Sequence, residues 1–324
     1  MRILITGGSG YIGSVVAREL SELGYEVVIF DNLERGHQCN ISVGLRLING
    51  DLRHLDEIDA ALREVRPDAI MHFAAYALVG ESMANPMMYF ENNVKGGVNL
   101  LSAMEAVGCK RLIFSSSCAT YGVPPSLPIE ETMQQKPTNP YGHSKLIFEQ
   151  MCTWLQETKG FKPTFLRYFN AAGAVEPMVE DHEPETHLIP NVLKVALGKK
   201  EYVSIWGDDY PTPDGTCIRD YVHLKDLSSA HILALEKEAV GAFNLGTGNG
   251  ISVREIVETS RKVTGHSIPV RVCPRRPGDP PALYASGQRA KAVLGWKPIY
   301  SDVETIIRDA WAAHQRWPDG YKEA

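Results

Sequence analysis

The chain has 324 residues, 44% hydrophobic and 22% charged, with a formal net charge of -6. The length suits two domains and the composition is ordinary for a globular protein. An acidic chain is not built for nucleic acid or an anionic membrane surface, so any polyphosphate it binds must be held locally, by a few arginines and helix N-termini.

RILIT (2–6) is a short apolar strand running straight into glycines, without the longer apolar core of a signal peptide. A helix is predicted from about Tyr11 to Leu23, with Ile12, Val15, Val16 and Leu20 on one stripe, and Gly24 suits its C-cap. EVVIF (26–30) and RLING (46–50) read as strands, followed by a helix around 54–65 and the strand AIMHFAA (69–75). A long helix is expected from Met87 to Ala106, then the strand RLIFSSS (111–117), an intervening helix and the strand FLRYFN (165–170). Nearly continuous apolar strands alternating with helices predict an α/β protein: a doubly wound, Rossmann-like parallel sheet covered on both faces.

From Ala171 to Thr186 the chain becomes rich in Pro, Glu and Asp and reads as a linker. Further helices are expected near 188–197, 225–236, 252–264 and 302–315. The reading is a first domain over 1–171 and a smaller C-terminal α/β domain over 172–324, some of whose segments pack back on the first. No apolar run approaches a membrane span, the stretch 69–79 being broken by His72. The six cysteines form no CxxC pair and no His lies at zinc-ligand spacing, so reduced thiols, no metal and a soluble cytoplasmic protein are expected.

Residues 6–13 read TGGSGYIG. Gly7, Gly10 and Gly13, or equally Gly8, Gly10 and Gly13, give the spacing that allows a tight turn, close approach to a pyrophosphate and close helix–strand packing. Asp31 ends the second strand about 20 residues on, where a carboxylate bonds ribose hydroxyls and repels a 2′-phosphate, which favours NAD over NADP. Arg35 nearby weakens that preference. Asp51, after the third strand, is placed to meet the adenine.

Tyr141 and Lys145 form a YxxxK pair and share one face if the segment is helical. A phenol titrates near 10, and a neighbouring cation lowers a pKa by about 1–3 units, so the lysine favours a phenolate base. The pair lies about 24 residues after Ser115–Ser117, at the end of a strand where such sheets hold ligands. A serine there can hydrogen-bond a reacting oxygen.

Glycine turn, serine cluster and YxxxK, in this order, carry a wider resemblance. The chain resembles the UDP-glucose 4-epimerases of the extended short-chain dehydrogenase/reductase family. The resemblance runs from ILITGGSGYIGS to the C-terminal WKP, through FDN (30–32), HFAAYALVGES (72–82), ENNVKG (91–96), FSSSCATYG (114–122), NPYGHSK (139–145), LRYFNAAGA (166–174), DYPTPDGTCIRDYVH (209–223), FNLGTG (243–248) and RRPGD (275–279). It implies transient oxidation of a UDP-sugar at C4 by bound NAD. Tyr141 would be the base, Ser117 the catalytic serine, and Lys145 the residue that lowers the Tyr141 pKa and holds the nicotinamide ribose.

The match gives as cofactor residues Gly7, Gly10, Tyr11, Ile12, Gly13, Asp31, Asn32, Asp51, Leu52, Phe73, Ala74, Ala75, Asn92, Tyr141, Lys145 and Tyr168. On the substrate side it gives Ser117, Tyr141, Asn170, His187, Leu188, Trp206, Arg219, Tyr221, Arg276, Asp279 and Leu283. Arg219 and Arg276 would fork onto the diphosphate, and Trp206 would line the uracil pocket rather than a core. Ala77, His187 and Leu283 depart from residues common in the family. Leu283 stands where some members have a bulky Tyr, which would leave room for UDP-N-acetylglucosamine. The resemblance also implies a homodimer formed through the helices near 87–106 and 144–159. A 4,6-dehydratase is disfavoured because Cys118 and Ala119 stand where those enzymes carry Asp and Glu. A decarboxylase, an epimerase for UDP-xylose or UDP-arabinose, and a non-catalytic NAD-sensing protein remain as alternatives.

Overall fold

The computed structural model describes residues 1–321 except 183, 277 and 278; Pro277 and Gly278 of the RRPGD segment, and the end of the expected second domain, lie outside the described residues. In chain order the first part runs β1 (Arg2–Thr6), α1 (Gly13–Glu22), β2 (Glu26–Asp31), β3 (Arg46–Asn49), α2 (Leu55–Val65), β4 (Ala69–His72), α3 (Val79–Ala84), α4 (Pro86–Tyr89), α5 (Gly96–Val107), β5 (Arg111–Ser117), α6 (Pro140–Lys159) and β6 (Lys162–Tyr168). The rest runs β7 (Asn170–Ala172), α7 (Leu188–Ala196), β8 (Val203–Trp206), β9 (Ile218–Arg219), β10 (Tyr221–His223), α8 (Leu224–Glu236), β11 (Gly241–Leu245), β12 (Ile251–Ser252), α9 (Val253–Thr264), β13 (Val270–Cys273), β14 (Ala282–Leu283) and α10 (Val303–Arg316).

Seven strands form one parallel sheet in the order β11-β6-β5-β4-β1-β2-β3. Successive residues of a strand face opposite ways. Ile3 and Ile5 therefore join Val15, Val16 and Leu20 of α1 and Leu227 and Ala234 of α8 on one face. Leu4 joins Ile58 and Leu62 of α2, Leu100 and Met104 of α5, and Phe148 and Cys152 of α6 on the other. Each fully buried Val, Leu, Ile, Met or Phe among them contributes roughly 1.5–3 kcal/mol. The chain returns to this sheet late, with α8 packed on α1 and β11 paired to β6. A separate cluster, including Ile189, Val192, Leu193, Ile256, Val257, Ile306 and Ile307, unites α7, α9 and α10.

The expected helix over 87–106 is not uniform. A π-helical stretch, Phe90–Lys95, separates α4 from α5. Its wider turn changes which side chains face inward, and Asn93 rather than Asn92 is the buried one. The close fit resumes at Gly97, where an added Cβ would meet the Phe148 ring at 2.4 Å. Asn93 accepts from the Tyr76 amide at 2.9 Å and donates to Ser144 Oγ at 2.9 Å, which ties the loop after β4 to α6. The expected linker begins as β7, and from 173 to 187 the described residues are neither helix nor strand.

Candidate active site

The strand order reverses its direction of winding between β1 and β4, and ligands of doubly wound sheets lie at the carboxyl ends beside that point. The glycine turn occupies it. Gly7 has φ +76°, and a Cβ there would meet the Ala74 backbone at 2.4 Å. A Cβ on Gly13 would strike the Gly7 carbonyl at 2.2 Å, so α1 sits directly on the turn. A Cβ on Gly10 would meet only that carbonyl, at 3.4 Å. Packing against protein therefore does not account for Gly10, whereas the approach of a pyrophosphate does. No side chain caps α1 after Ile12; the Ser14 amide donates to the Gly10 carbonyl at 3.1 Å, and the positive end of the helix dipole faces the turn, where it suits an anion. Tyr11 leaves the turn, its hydroxyl donating to the Gly173 carbonyl.

At the end of β2, Asp31 accepts from the Ser9 amide at 3.0 Å and the Leu33 amide at 2.9 Å, so backbone fixes the carboxylate beside the turn. Arg35, which could have met a 2′-phosphate, pairs with Glu81 at 2.8 Å. Asn32 donates to Asp51 at 3.0 Å. Burial pushes the Asp51 carboxyl up, but bonds from Arg53 and Asn32 outweigh it and hold the group well below the carboxylate range. Leu52 is buried, Phe73 and Ala74 both donate their amides to the Thr6 carbonyl, and Ala75 follows them. These features fit a dinucleotide with a free adenosine 2′-hydroxyl.

Ser115–Ser117 end β5, and Tyr141 and Lys145 lie one turn apart near the start of α6. Pro140 at the first helical position and Asn139, accepting from the Gly142 amide at 2.8 Å, start that helix here. The Lys145 ammonium lies 5.8 Å from the centre of the Tyr141 ring and donates to the Ser115 carbonyl at 2.8 Å. Beneath it His72, bonded to the Thr6 hydroxyl at 2.7 Å, is driven down to about 3 by burial and by Lys145, and so stays neutral. The Tyr168 hydroxyl pairs with Ser115 Oγ, and Phe73 lies against His231.

The charge balance of this group differs from the sequence expectation. Burial pushes the Tyr141 phenol up to about 12, and a hydrogen bond with Ser117 opposes the rise. Burial likewise drives Lys145 down to about 7, against the pull of Glu149. The lysine does not by itself lower the tyrosine, because both groups are desolvated and the ammonium already bonds a carbonyl. Behind the serines, Arg167 grips Glu149 through Nε at 2.9 Å and Nη2 at 2.5 Å, and Ser116 donates to the same carboxylate. This buried pair locks α6 against β5 and β6.

The expected substrate residues meet through strand register. Asn170 on β7 is opposite Tyr221 on β10, and Arg219 on β9 is opposite Leu283 on β14. Arg219 reaches Asp279 at 3.6 Å, and the Arg276 guanidinium sits 4.9 Å from the centre of the Trp206 ring. Trp206 is 40% exposed, so it is not a core residue. Leu188 opens α7, and His187, just before it, turns to Glu185 at 2.9 Å and Glu180 at 3.1 Å. Burial would lower His187, but the two carboxylates outweigh it and push the imidazole up to about 9. Sequence reasoning passed over Asn93, whose signal, the doubled Asn of ENN, does not say which of the two turns inward. It also passed over Glu149, whose signal is an acidic residue one turn beyond Lys145 on the same helix face.

Comparison with known proteins agrees with this geometry. Residues 3–246 match the family described as NAD dependent epimerase/dehydratase. A UDP-glucose 4-epimerase of Halalkalibacterium halodurans is 49% identical over 99% of this chain and 98% of its own. The solved UDP-glucose 4-epimerase of Brucella ovis in complex with NAD superposes with a TM-score of 0.93 at 48% identity, covering 96% of this chain and 97% of that one. That of Bifidobacterium longum, in complex with NAD+ and UDP, gives 0.94 at 36% identity, covering 99% and 100%.

Proposed function

Because the chain belongs to the NAD dependent epimerase/dehydratase family, we propose that it is a UDP-glucose 4-epimerase that works with NAD. The observation that carries this reading is the convergence of Ser117, Tyr141 and Lys145 beside the glycine turn, on a chain that matches such epimerases from end to end. Gly7, Gly10, Gly13 and Asp31 would hold NAD. When bound, NAD supplies the acceptor and donor of the hydride at sugar C4. Tyr141 takes the proton of the 4-hydroxyl and returns it after the sugar has turned over. Ser117 holds the same oxygen and, through its bond to the phenol, shares the proton path. Lys145 keeps a positive charge within reach of Tyr141. Arg219 and Arg276 hold the diphosphate, and Trp206 flanks the base.

The alternatives are weaker. A sensor has no need of the Ser117–Tyr141–Lys145 group, and the similar proteins are epimerases. We infer a homodimer, supported by Val98 of α5 and Trp154 of α6, which expose apolar surface on adjacent helices. The cysteines of the chain are all free thiols, which supports a reducing cytoplasm, and among the described residues no helix is long and apolar enough to cross a membrane. The test is direct: purified protein is incubated with UDP-galactose and the formation of UDP-glucose is followed. No interconversion by NAD-loaded protein overturns the assignment.

A further inference from the structure

The described residues between β7 and α7 are neither helix nor strand, yet four of their side chains converge. Glu180, His182, Glu185 and His187 each bring one donor atom, all within 4.8 Å of one another. The separations are close to those of a coordination shell. His187 Nδ1 lies 2.9 Å from Glu185 Oε1 and 3.1 Å from Glu180 Oε1, and His182 Nδ1 lies 3.6 Å from Glu185 Oε2 and 3.7 Å from Glu180 Oε1. A tetrahedral shell with metal–ligand bonds of about 2.0–2.2 Å has edges of about 3.3–3.6 Å.

A second observation separates this group from an ordinary ion-pair cluster. Among the described residues, Glu185 Oε2 and His182 Nδ1 are buried atoms with no hydrogen-bond partner. The Glu185 side chain is only 3% exposed, and that of Glu180 only 6%. Glu185 Oε2 is held only by the 3.6 Å ion pair with His182 Nδ1, and a buried carboxylate oxygen held so loosely is costly. The His182 contacts are too long for hydrogen bonds. Protonated histidines would balance the two carboxylates but would leave these two atoms facing each other unbonded. One divalent ion would balance the same charge with both imidazoles neutral and would bond both atoms.

We propose that Glu180, His182, Glu185 and His187 form a structural site for a divalent transition-metal ion of the zinc class. Two imidazole nitrogens and two carboxylate oxygens suit zinc, and they leave out the all-oxygen preference of calcium and magnesium. The site would act as a staple. His187 immediately precedes α7, and the His182 ring stands edge-on to Tyr11 of the glycine turn, with ring centres 6.2 Å apart. The Tyr11 hydroxyl holds Gly173 at the other end of the segment. A bound ion would thereby fix the start of α7 relative to the cofactor turn.

The test uses the full-length protein, purified without a metal-affinity step. Elemental analysis is expected to find close to one zinc per chain. Chelator-treated protein is expected to take up zinc(II) at one site in calorimetry, with proton release because neutral imidazoles are required. Cobalt(II) is expected to give the visible absorption of a tetrahedral complex. His182→Ala and Glu185→Gln should each weaken zinc binding by at least the ~10–100-fold that even outer partners of a ligand are worth, while Cys39→Ser leaves it unchanged. Bound NAD and the circular dichroism spectrum report whether the variants fold, and the wild-type titration stands without them. Wild type that takes up neither ion, or uptake that survives both substitutions together, overturns the site.

Discussion

The Lys145 ammonium donates to the Ser115 carbonyl at 2.8 Å, so the YxxxK lysine is tied to the strand that ends in Ser117. Its charge is held near Tyr141 but is not bonded to it, and burial drives it down to about 7. A lysine lowered in this way loses its charge as pH rises through that value, and the phenol loses its cation with it. Lys145→Met removes the cation at every pH. The deficit of the variant is expected to be largest below about pH 7, where the wild-type lysine carries its charge, and to narrow above it. The check is kcat for UDP-galactose on both sides of that pH. A deficit that is the same at every pH means that Lys145 acts only by holding its neighbours in place.

Tyr141→Phe removes the proton-transferring hydroxyl and little else. The ring keeps its edge-on contact with Tyr89, with centres 6.4 Å apart. Turnover is expected to fall by about 10²–10⁴-fold, the usual contribution of a general acid–base group, while bound nucleotide and thermal stability stay near wild type. Near-native kcat in this variant removes Tyr141 from the mechanism.

The purified enzyme is expected to carry NAD and to need little added, because a cofactor restored in every cycle gains nothing by leaving. Acid release and chromatography identify the nucleotide. Asp31, fixed by the Ser9 and Leu33 amides, should exclude NADP. Asp31→Asn is expected to narrow the preference for NAD by removing the charge that repels a 2′-phosphate. Protein that arrives empty and responds only to NADP contradicts both the tight binding and the role of Asp31.

Much of this was legible in the sequence, for physical reasons that also mark where reading stops. Ile3, Leu4 and Ile5 are all apolar because both faces of β1 are covered, and continuous runs of that kind announce a parallel sheet. Gly7 and Gly13 could be read because their positions tolerate no side chain. The π-helical stretch could not, since one turn of different pitch leaves the apolar pattern of 87–106 almost intact and changes only which asparagine is buried. The electrostatics of Tyr141 were misjudged because spacing gives proximity to Lys145 but not the shared desolvation of both groups. Glu180, His182, Glu185 and His187 were passed over although His182 and His187, with four residues between them, do have the spacing of zinc ligands: in a stretch rich in Pro, Glu and Asp, the group looks like solvated loop.

The buried pair of Arg167 and Glu149 gives a prediction about stability. Their side chains are only 6% and 4% exposed. Glu149→Gln leaves the Arg167 charge buried without its counter-ion, and removal of one partner from such a pair costs about 3–5 kcal/mol. Urea denaturation of the NAD-loaded variant should show a lower midpoint with little change in slope. Replacing both residues with apolar side chains, Glu149→Leu with Arg167→Met, should recover much of the loss. A Glu149→Gln protein as stable as wild type means that the pair does not lock α6.

Leu283 bears on which sugars fit. It is half-buried on β14, opposite Arg219 in register, and packs with Cys118 against the cluster of Tyr121, Ile129, Phe169 and Ala285. Cys118 follows Ser117 directly, so Leu283 borders the pocket in which the sugar must turn over. Tyr284 does not fill the same space; it lies by Gly250, where an added Cβ would come within 3.2 Å of its ring. A leucine here leaves room that a tyrosine would close, and the substituent at the sugar C2 is what competes for it. The enzyme is therefore expected to epimerise UDP-N-acetylglucosamine as well as UDP-glucose. Leu283→Tyr should shift the ratio of the two kcat/KM values toward UDP-glucose by about 10–200-fold, the range that a hydrophobic wall supplies per missing group. The activity on UDP-glucose should change little, because the proton path through Ser117 and Tyr141 is untouched. Wild type inactive on the N-acetyl sugar, or a ratio that the substitution leaves unchanged, shows that the limit on sugar size lies elsewhere in the pocket.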